Sequence, residues 1–172
     1  MKNSDIIIRD ARSYDLDPMV ELLRELFSIE KDFPFNQRKQ RHGLAALIAD
    51  HAGSTIKIAA AGGNIVGMCT AQIHISTAEG GLSALIEDLV VDTAVRRKGI
   101  GKVLLESVQE WALRRGCLRV QLLADRDNTP ALAFYRNNGW STTSMICLTR
   151  KLSHWDPAPK SHHEISETSA RS

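Results

Sequence analysis

Between Leu89 and Lys102 the chain reads LVVDTAVRRKGIGK. An apolar, strand-like run gives way to three consecutive basic residues and two glycines. Ile100, Val103, Leu104, Val108, Trp111 and Ala112 then recur at the spacing of one helix face. A strand feeding a helix through so short a loop points to a sheet with helices packed against it. The loop also presents the first N–H groups of the helix, which lack partners within it, at the positive end of its dipole. Glycines let a main chain approach an anion closely, and Arg96, Arg97, Lys98 and Lys102 add positive charge. The segment therefore suits an anion. The plainer reading is a helix start whose basic side chains are solvated.

Two phosphate loops are excluded by spacing. Arg96 and Val103 stand where a nucleotide-triphosphate loop needs Gly and Ser or Thr, and Leu104 replaces the third glycine of a dinucleotide fingerprint.

The remaining elements follow from periodicity. Ile6, Ile7 and Ile8 read as a strand. Asp17 as N-cap and Pro18 at the first helical position open a helix, with Leu16, Met19, Val20, Leu23, Leu26 and Phe27 on its apolar face. A second helix is expected over residues 38–50, with Leu44, Leu47 and Ile48 inward. Strands are expected over 56–61 and 65–75, joined by a tight turn at Gly62, Gly63 and Asn64. A further apolar strand, 84–91, is interrupted by two acids. After the helix from Ile100, which ends near Gly116, come a strand around Val120, Leu122 and Leu123, a short helix over 129–137, and a last strand over 140–148. The order β-α-α-β-β-β-α-β-α-β predicts an α/β (α+β) fold with a mixed, mostly antiparallel sheet and helices on both faces.

Residues 1–152 read as one domain, and 153–172, rich in Ser, His, Pro and Glu, as a tail. The 172 residues suit one domain. Lys and Arg number 22 against 20 acidic residues, a net charge of only +2. That balance gives no reason to expect nucleic acid or an anionic membrane as partner. Cys69, Cys117 and Cys147 are odd in number and widely spaced. This argues against a disulfide scaffold or zinc site and for a reducing compartment. Neither a membrane span of about 20 apolar residues nor a secretory leader is visible, so a cytoplasmic location is expected. A homodimer contact through Trp155 or the tail is left open.

Arg96-x-x-Gly99-x-Gly101 resembles the Arg/Gln-x-x-Gly-x-Gly/Ala signature of the GNAT acetyltransferase superfamily. The likeness covers about residues 5–150 and continues through Asn128, Tyr135 and Gly139 in order. Ile86-Glu87-Asp88-Leu89-x-Val91 and Arg114-x-Gly116-Cys117 are similar to the diamine acetyltransferase branch. The stretch from Gly63 to Met68 is instead similar to aminoalkylphosphonate acetyltransferases, so the acceptor is not fixed. The resemblance implies a GNAT fold and acetyl-CoA as acetyl donor. It implies that Arg96, Arg97, Lys98, Gly99, Ile100, Gly101 and Lys102 grip its pyrophosphate. Leu89, Val90 and Val91 would pair through their backbone with its pantetheine arm, and Asn128 and Ala131 would also touch the cofactor. Asn128 reads equally as a helix N-cap.

An aliphatic amine with a pKa near 10.4 is protonated at pH 7, and removing its proton costs about 4.6 kcal/mol. An amine acetyltransferase therefore needs a route for that proton and a group to protonate the departing thiolate. Glu87 is the candidate base, matching the glutamate of the diamine branch. The alternatives are a structural ion pair, or a charge that only attracts the cationic amine. Strand alternation places Leu85, Glu87, Leu89 and Val91 on one face and Ile86, Asp88 and Val90 on the other, so Asp88 reads as structural. Tyr135 is the candidate acid. Without the resemblance, a Tyr at helical spacing among Leu132 and Phe134 reads as core.

Glu30, Asp32 and Phe33 lie in the loop that the family topology places at the acceptor mouth, where acids suit a cationic amine. A solvated linker is the competing reading. His42, His51, His74, His154, His162 and His163 show no ligand spacing, so no metal is expected. Three functions remain open: an acetyltransferase for a small amine such as a polyamine or amino acid, one for a protein or peptide, and a non-catalytic acyl-CoA-binding module.

Overall fold

The computed structural model describes residues 6–30 and 33–153. The five strands β1 (Ile6–Asp10), β2 (Ser54–Ala61), β3 (Asn64–Ser76), β4 (Gly81–Val91) and β5 (Cys117–Leu122) form one sheet in that order. β1 to β4 pair antiparallel, and β5 lies parallel to β4. The helices are α1 (Leu16–Ile29), α2 (Gln37–Ala49), α3 (Ile100–Arg114) and α4 (Thr129–Asn137). This is the expected mixed, mostly antiparallel sheet.

Each face of the sheet has its own core. Met19, Val20, Leu23 and Leu44 of α1 and α2 pack against Ile56, Ile58, Met68 and Val90. On the opposite face Ile100, Leu104, Leu105, Val108 and Trp111 of α3 pack against Ala59, Cys69, Ala71, Ala84 and Ile86. A Leu or Val taken wholly out of water contributes about 1.5–3 kcal/mol, so this apolar face holds α3 in place more than helix propensity does. The approach is close: a Cβ at Gly67 would lie 3.1 Å from Leu104 Cδ1 and 3.1 Å from the Val90 carbonyl oxygen. The β2–β3 hairpin turns through Gly62 and Gly63, both at positive φ (56° and 84°), as a two-residue turn matched to strand twist requires.

Two expectations are corrected. α1 starts at Leu16 with Asp15, not Asp17, at its N-cap, after a 3-10 turn over Ser13–Asp15. The buried Asp15 carboxylate accepts from Arg9 at 2.7 and 2.8 Å and from the Arg12 N–H at 2.8 Å. Those bonds hold its carboxyl below the ordinary value. They fix the entry into α1 better than the exposed Asp17 can. Residues 140–148 form no strand. Strand propensity is realised only against a partner. Here the segment makes no ladder with β5 among the described residues, and Met145 and Leu148 remain 83% and 86% exposed. Trp155, His154, His162, His163 and nearly all of the 153–172 tail lie outside the described residues.

Candidate active site

The loop between β4 and α3 is fastened from behind. Asp92 accepts from the Ala94 N–H at 2.8 Å, and Arg96 Nε donates to the Val91 carbonyl at 2.8 Å. The Arg96 guanidinium also lies 3.9 Å from the Glu25 carboxylate. Arg97 (φ 62°) and Gly99 (φ 80°) adopt left-handed backbone conformations, which turn successive N–H groups into a concave array. The N–H groups of residues 97–102 have no acceptor among the described residues. The side chain of Ile100 is buried and pins the start of α3. Gly101 faces the Phe134 ring of α4, whose Cζ would lie 3.6 Å from an added Cβ. Farther along, Lys102, Glu106, Gln109, Asn137 and Asn138 line a polar groove between α3 and α4. Free amides at a helix N-terminus with basic neighbours fit the diphosphate of a coenzyme A thioester.

Glu87 and Asp88 sit at a bulge. Ala71 pairs with Ile86 and Cys69 with Leu89, so Thr70 alone stands opposite both acids. The extra residue breaks the expected alternation. Ile86 and Leu89, expected on opposite faces, both pack into the α3-side core, while Val90 joins the other. The two acids, also expected on opposite faces, turn the same way. Gln72 Nε2 donates to Glu87 at 2.9 Å and Thr70 Oγ1 to Asp88 at 2.8 Å. Thr70 and Gln72 alternate with Cys69 and Ala71 of the α3-side core and so share the α1/α2 side. Glu87 is exposed, and Asp88 is the half-buried acid of the pair. Desolvation, and then the charges of Glu87 and Glu30, push the Asp88 carboxyl up to about 6, against the pull of the Thr70 hydrogen bond. Asp88, expected from sequence to be structural, is thus the perturbed acid of the site. Burial first, and the Asp88 charge second, also push the Cys69 thiol up, which makes it an inert core sulfur.

β5 pairs with β4 only as far as Ile86 and Leu122. Beyond them no strand pairs with residues 87–91, including Leu89, Val90 and Val91, on that side, where the Val91 carbonyl accepts from Arg96. Tyr135 of α4 stands partly buried between the rings of Phe134 (5.3 Å) and Trp140 (6.0 Å). Its phenol has no hydrogen-bond partner among the described residues, and burial, then Cys69 and Glu30, push it up to about 12. It therefore keeps its proton through neutral pH. Asn128 caps α4, its side chain accepting from the Ala131 N–H at 3.1 Å.

Of the expected acceptor residues, Glu30 follows the last turn of α1 and is close enough for its charge to act on both Asp88 and Tyr135. Phe33 is 55% exposed, its ring 6.4 Å from Phe27. Asp32 lies outside the described residues. Thr70 is a site residue that nothing in the sequence singles out. Among the described residues no helix is long and apolar enough to cross a membrane, and no group of three His, Cys, Asp or Glu could hold a metal.

The chain spans only about a third of the length of two uncharacterised Bacillus subtilis proteins, YdhI and YxbD, that it matches at 39% and 37% identity. It is 29% identical to a thialysine N-epsilon-acetyltransferase from Bos taurus over 78% of this chain and 83% of that one. It is 27% identical to an aminoglycoside N(6')-acetyltransferase type 1 from Salmonella typhimurium, over 63% and 76%. Among solved structures, an aminoglycoside N-acetyltransferase AAC(6')-Iy in complex with CoA shares the fold at a TM-score of 0.74, with 20% identity over 85% of this chain and 94% of that one. Residues 17–140 match the acetyltransferase (GNAT) family, and with the sheet, the loop before α3 and the α4 tyrosine in place, the chain belongs to that family.

Proposed function

We propose that the protein is an N-acetyltransferase that moves an acetyl group from acetyl-CoA directly to a primary amine of a small molecule, such as a polyamine or amino acid. The observation that carries this is the array of unpartnered N–H groups over residues 97–102, one strand-end away from two carboxylates and an unpartnered phenol. Acetyl-CoA, when bound, supplies a thioester carbon open to attack by nitrogen.

The chain's own residues then have distinct tasks. Main-chain amides of Arg97, Lys98, Gly99, Ile100, Gly101 and Lys102 hold the diphosphate, with Arg96 keeping the loop in shape. The open edge at Leu89, Val90 and Val91 offers backbone groups to the amide-bearing pantetheine arm, a strand addition in small-molecule form. Asn128, through its free amide nitrogen, and Ala131 flank that arm. The acids at the β4 bulge attract and deprotonate the ammonium, and the family resemblance gives the deprotonation to Glu87. Tyr135 gives its proton to the departing thiolate, a task suited to a phenol that stays neutral. Glu30, Asp32 and Phe33 border the acceptor. The relatives named for thialysine and aminoglycosides act on small amines, which supports this class over a peptide acceptor. A cytoplasmic setting suits the free cysteines 69, 117 and 147.

The test is incubation with acetyl-CoA and an amine panel of spermidine, lysine and kanamycin, reading released thiol. Thiol release with one of these amines supports the proposal. Turnover confined to peptides, followed by intact mass, would move the acceptor to protein. Uptake of coenzyme A with no turnover would mark an acyl-CoA-binding module. Sedimentation of the full chain reads the homodimer.

A further inference from the structure

A bulge removes a ladder bond and leaves an extra residue unpaired. Here one hydroxyl replaces what is lost. Thr70 Oγ1 accepts the Asp88 backbone N–H at 3.0 Å and donates its own proton to the Asp88 carboxylate at 2.8 Å. Thr70 is wholly buried, so no water competes for either bond. The result is a closed two-bond clamp that fixes both the backbone kink and the direction of the carboxylate. Glu87 has no such clamp. It accepts from the Gln72 amide in an exposed pair, where water competes for the bond.

We infer that the acids divide the work otherwise than the family resemblance implies: Asp88, aimed by Thr70, takes the proton of the acceptor ammonium, and exposed Glu87 draws the cation in rather than acting as the base. Thr70 is a positioning residue. This rests on the acetyltransferase reading above. One ammonium proton passes to the Asp88 carboxylate and then to water. The nitrogen forms its bond to the acyl carbon while the carbon–sulfur bond breaks. Tyr135 protonates the sulfur and recovers a proton from the nitrogen as the amide forms. The products are the acetamide, the free thiol and one released proton.

The charges that act on Asp88 are those of Glu87 on its own strand and Glu30 after α1, while Thr70 on β3 donates to it and the buried Cys69 of β3 lies near enough to feel its charge. Of these, Glu87 and Glu30 oppose its ionisation, which makes a desolvated carboxylate there a stronger proton acceptor than an exposed one.

The experiment measures kcat and KM against pH for wild type, T70V, T70S, D88N and E87Q, using the panel amine with the fastest thiol release. Coenzyme A uptake is followed by calorimetry. The wild-type kcat is expected to fall on an acidic limb near pH 6. D88N should lose about 100-fold or more in kcat and abolish the limb, within the usual range for a general base. E87Q should act mainly through the amine KM. T70V should lower kcat about tenfold and move the limb, and T70S, which keeps the hydroxyl, should restore both. Coenzyme A uptake should be unchanged in all four. The inference is overturned if E87Q abolishes the limb while D88N keeps it, or if T70V and T70S behave alike. Absence of thiol release from wild type with every amine would instead remove the acetyltransferase reading itself.

Discussion

The loop before α3 and the bulge in β4 lie on either side of residues 89–91, yet they are built from opposite materials. The loop offers main-chain amides, shaped by left-handed residues at 97 and 99, and its Arg96 side chain reaches back to Val91 and Glu25. The bulge offers side chains, two carboxylates held by partners on β3. A diphosphate needs many weak donors at fixed spacing, which backbone supplies without entropic cost at binding. A proton needs one group of tuned affinity, which only a titratable side chain supplies. The two regions should therefore fail differently: the loop to changes in backbone shape, the bulge and its neighbours to isosteric changes in chemistry.

The largest expected effect tests the chemical side. Y135F removes one oxygen that has no partner among the described residues and leaves the ring packing with Phe134 and Trp140 in place. The expected loss is about 100-fold in kcat, or about 2.7 kcal/mol, with coenzyme A uptake by calorimetry unchanged. A matching loss of coenzyme A affinity would show that the phenol belongs to the cradle, and the division between regions would fail.

Next comes the cost of the tuned acid. Folding raises the Asp88 carboxyl from an ordinary 3.8 to about 6, so between those values the folded protein holds a proton that the unfolded chain has lost. Stability therefore falls as pH rises through that window and stays lower above it. D88N cannot charge, and its amide oxygen still accepts from Thr70. The full shift corresponds to about 3 kcal/mol; with the half-buried carboxylate partly screened by solvent, thermal unfolding at pH 8 should show D88N more stable than wild type by about 2 kcal/mol, the difference fading below pH 4. A less stable D88N at pH 8 would mean that the charge is compensated in the fold.

The loop was legible in the sequence because its working parts are written as residue types, glycines and charges at fixed spacing after a strand. The bulge was not, because it is a property of register. Thr70 and Asp88 are 18 residues apart, and nothing local marks their pairing. One sign was available. Two adjacent acids in an apolar, regular strand would send one into each core, a burial neither could sustain unpartnered. Reading that conflict as a request for an extra residue would have put both acids on one side. The strand expected over 140–148 misled for a related reason: composition states a strand's preference, and a neighbouring edge decides whether it is met.

A third test bears on the loop's backbone. Gly99 holds φ 80° with open space where a Cβ would stand, so G99V strains the main chain without a clash. A left-handed non-glycine residue costs about 1–2 kcal/mol. The expected result is about a tenfold weaker coenzyme A affinity with kcat at saturation near wild type. An unchanged affinity would show that the amides are not the holding groups.

The smallest expected effect makes that contrast quantitative. Lys98 lies beside Gly99 with its side chain exposed, and a solvent-exposed charge contributes only about 0.2–1 kcal/mol. K98A should therefore weaken coenzyme A uptake about two- to fivefold in low salt, a loss that shrinks towards nothing at about 0.5 M salt as screening removes what the ammonium contributed. The G99V deficit should persist at high salt, because backbone strain is not screened. If K98A costs more than G99V, and the cost survives salt, the diphosphate is held by side-chain charge, and loop and bulge are two versions of one design.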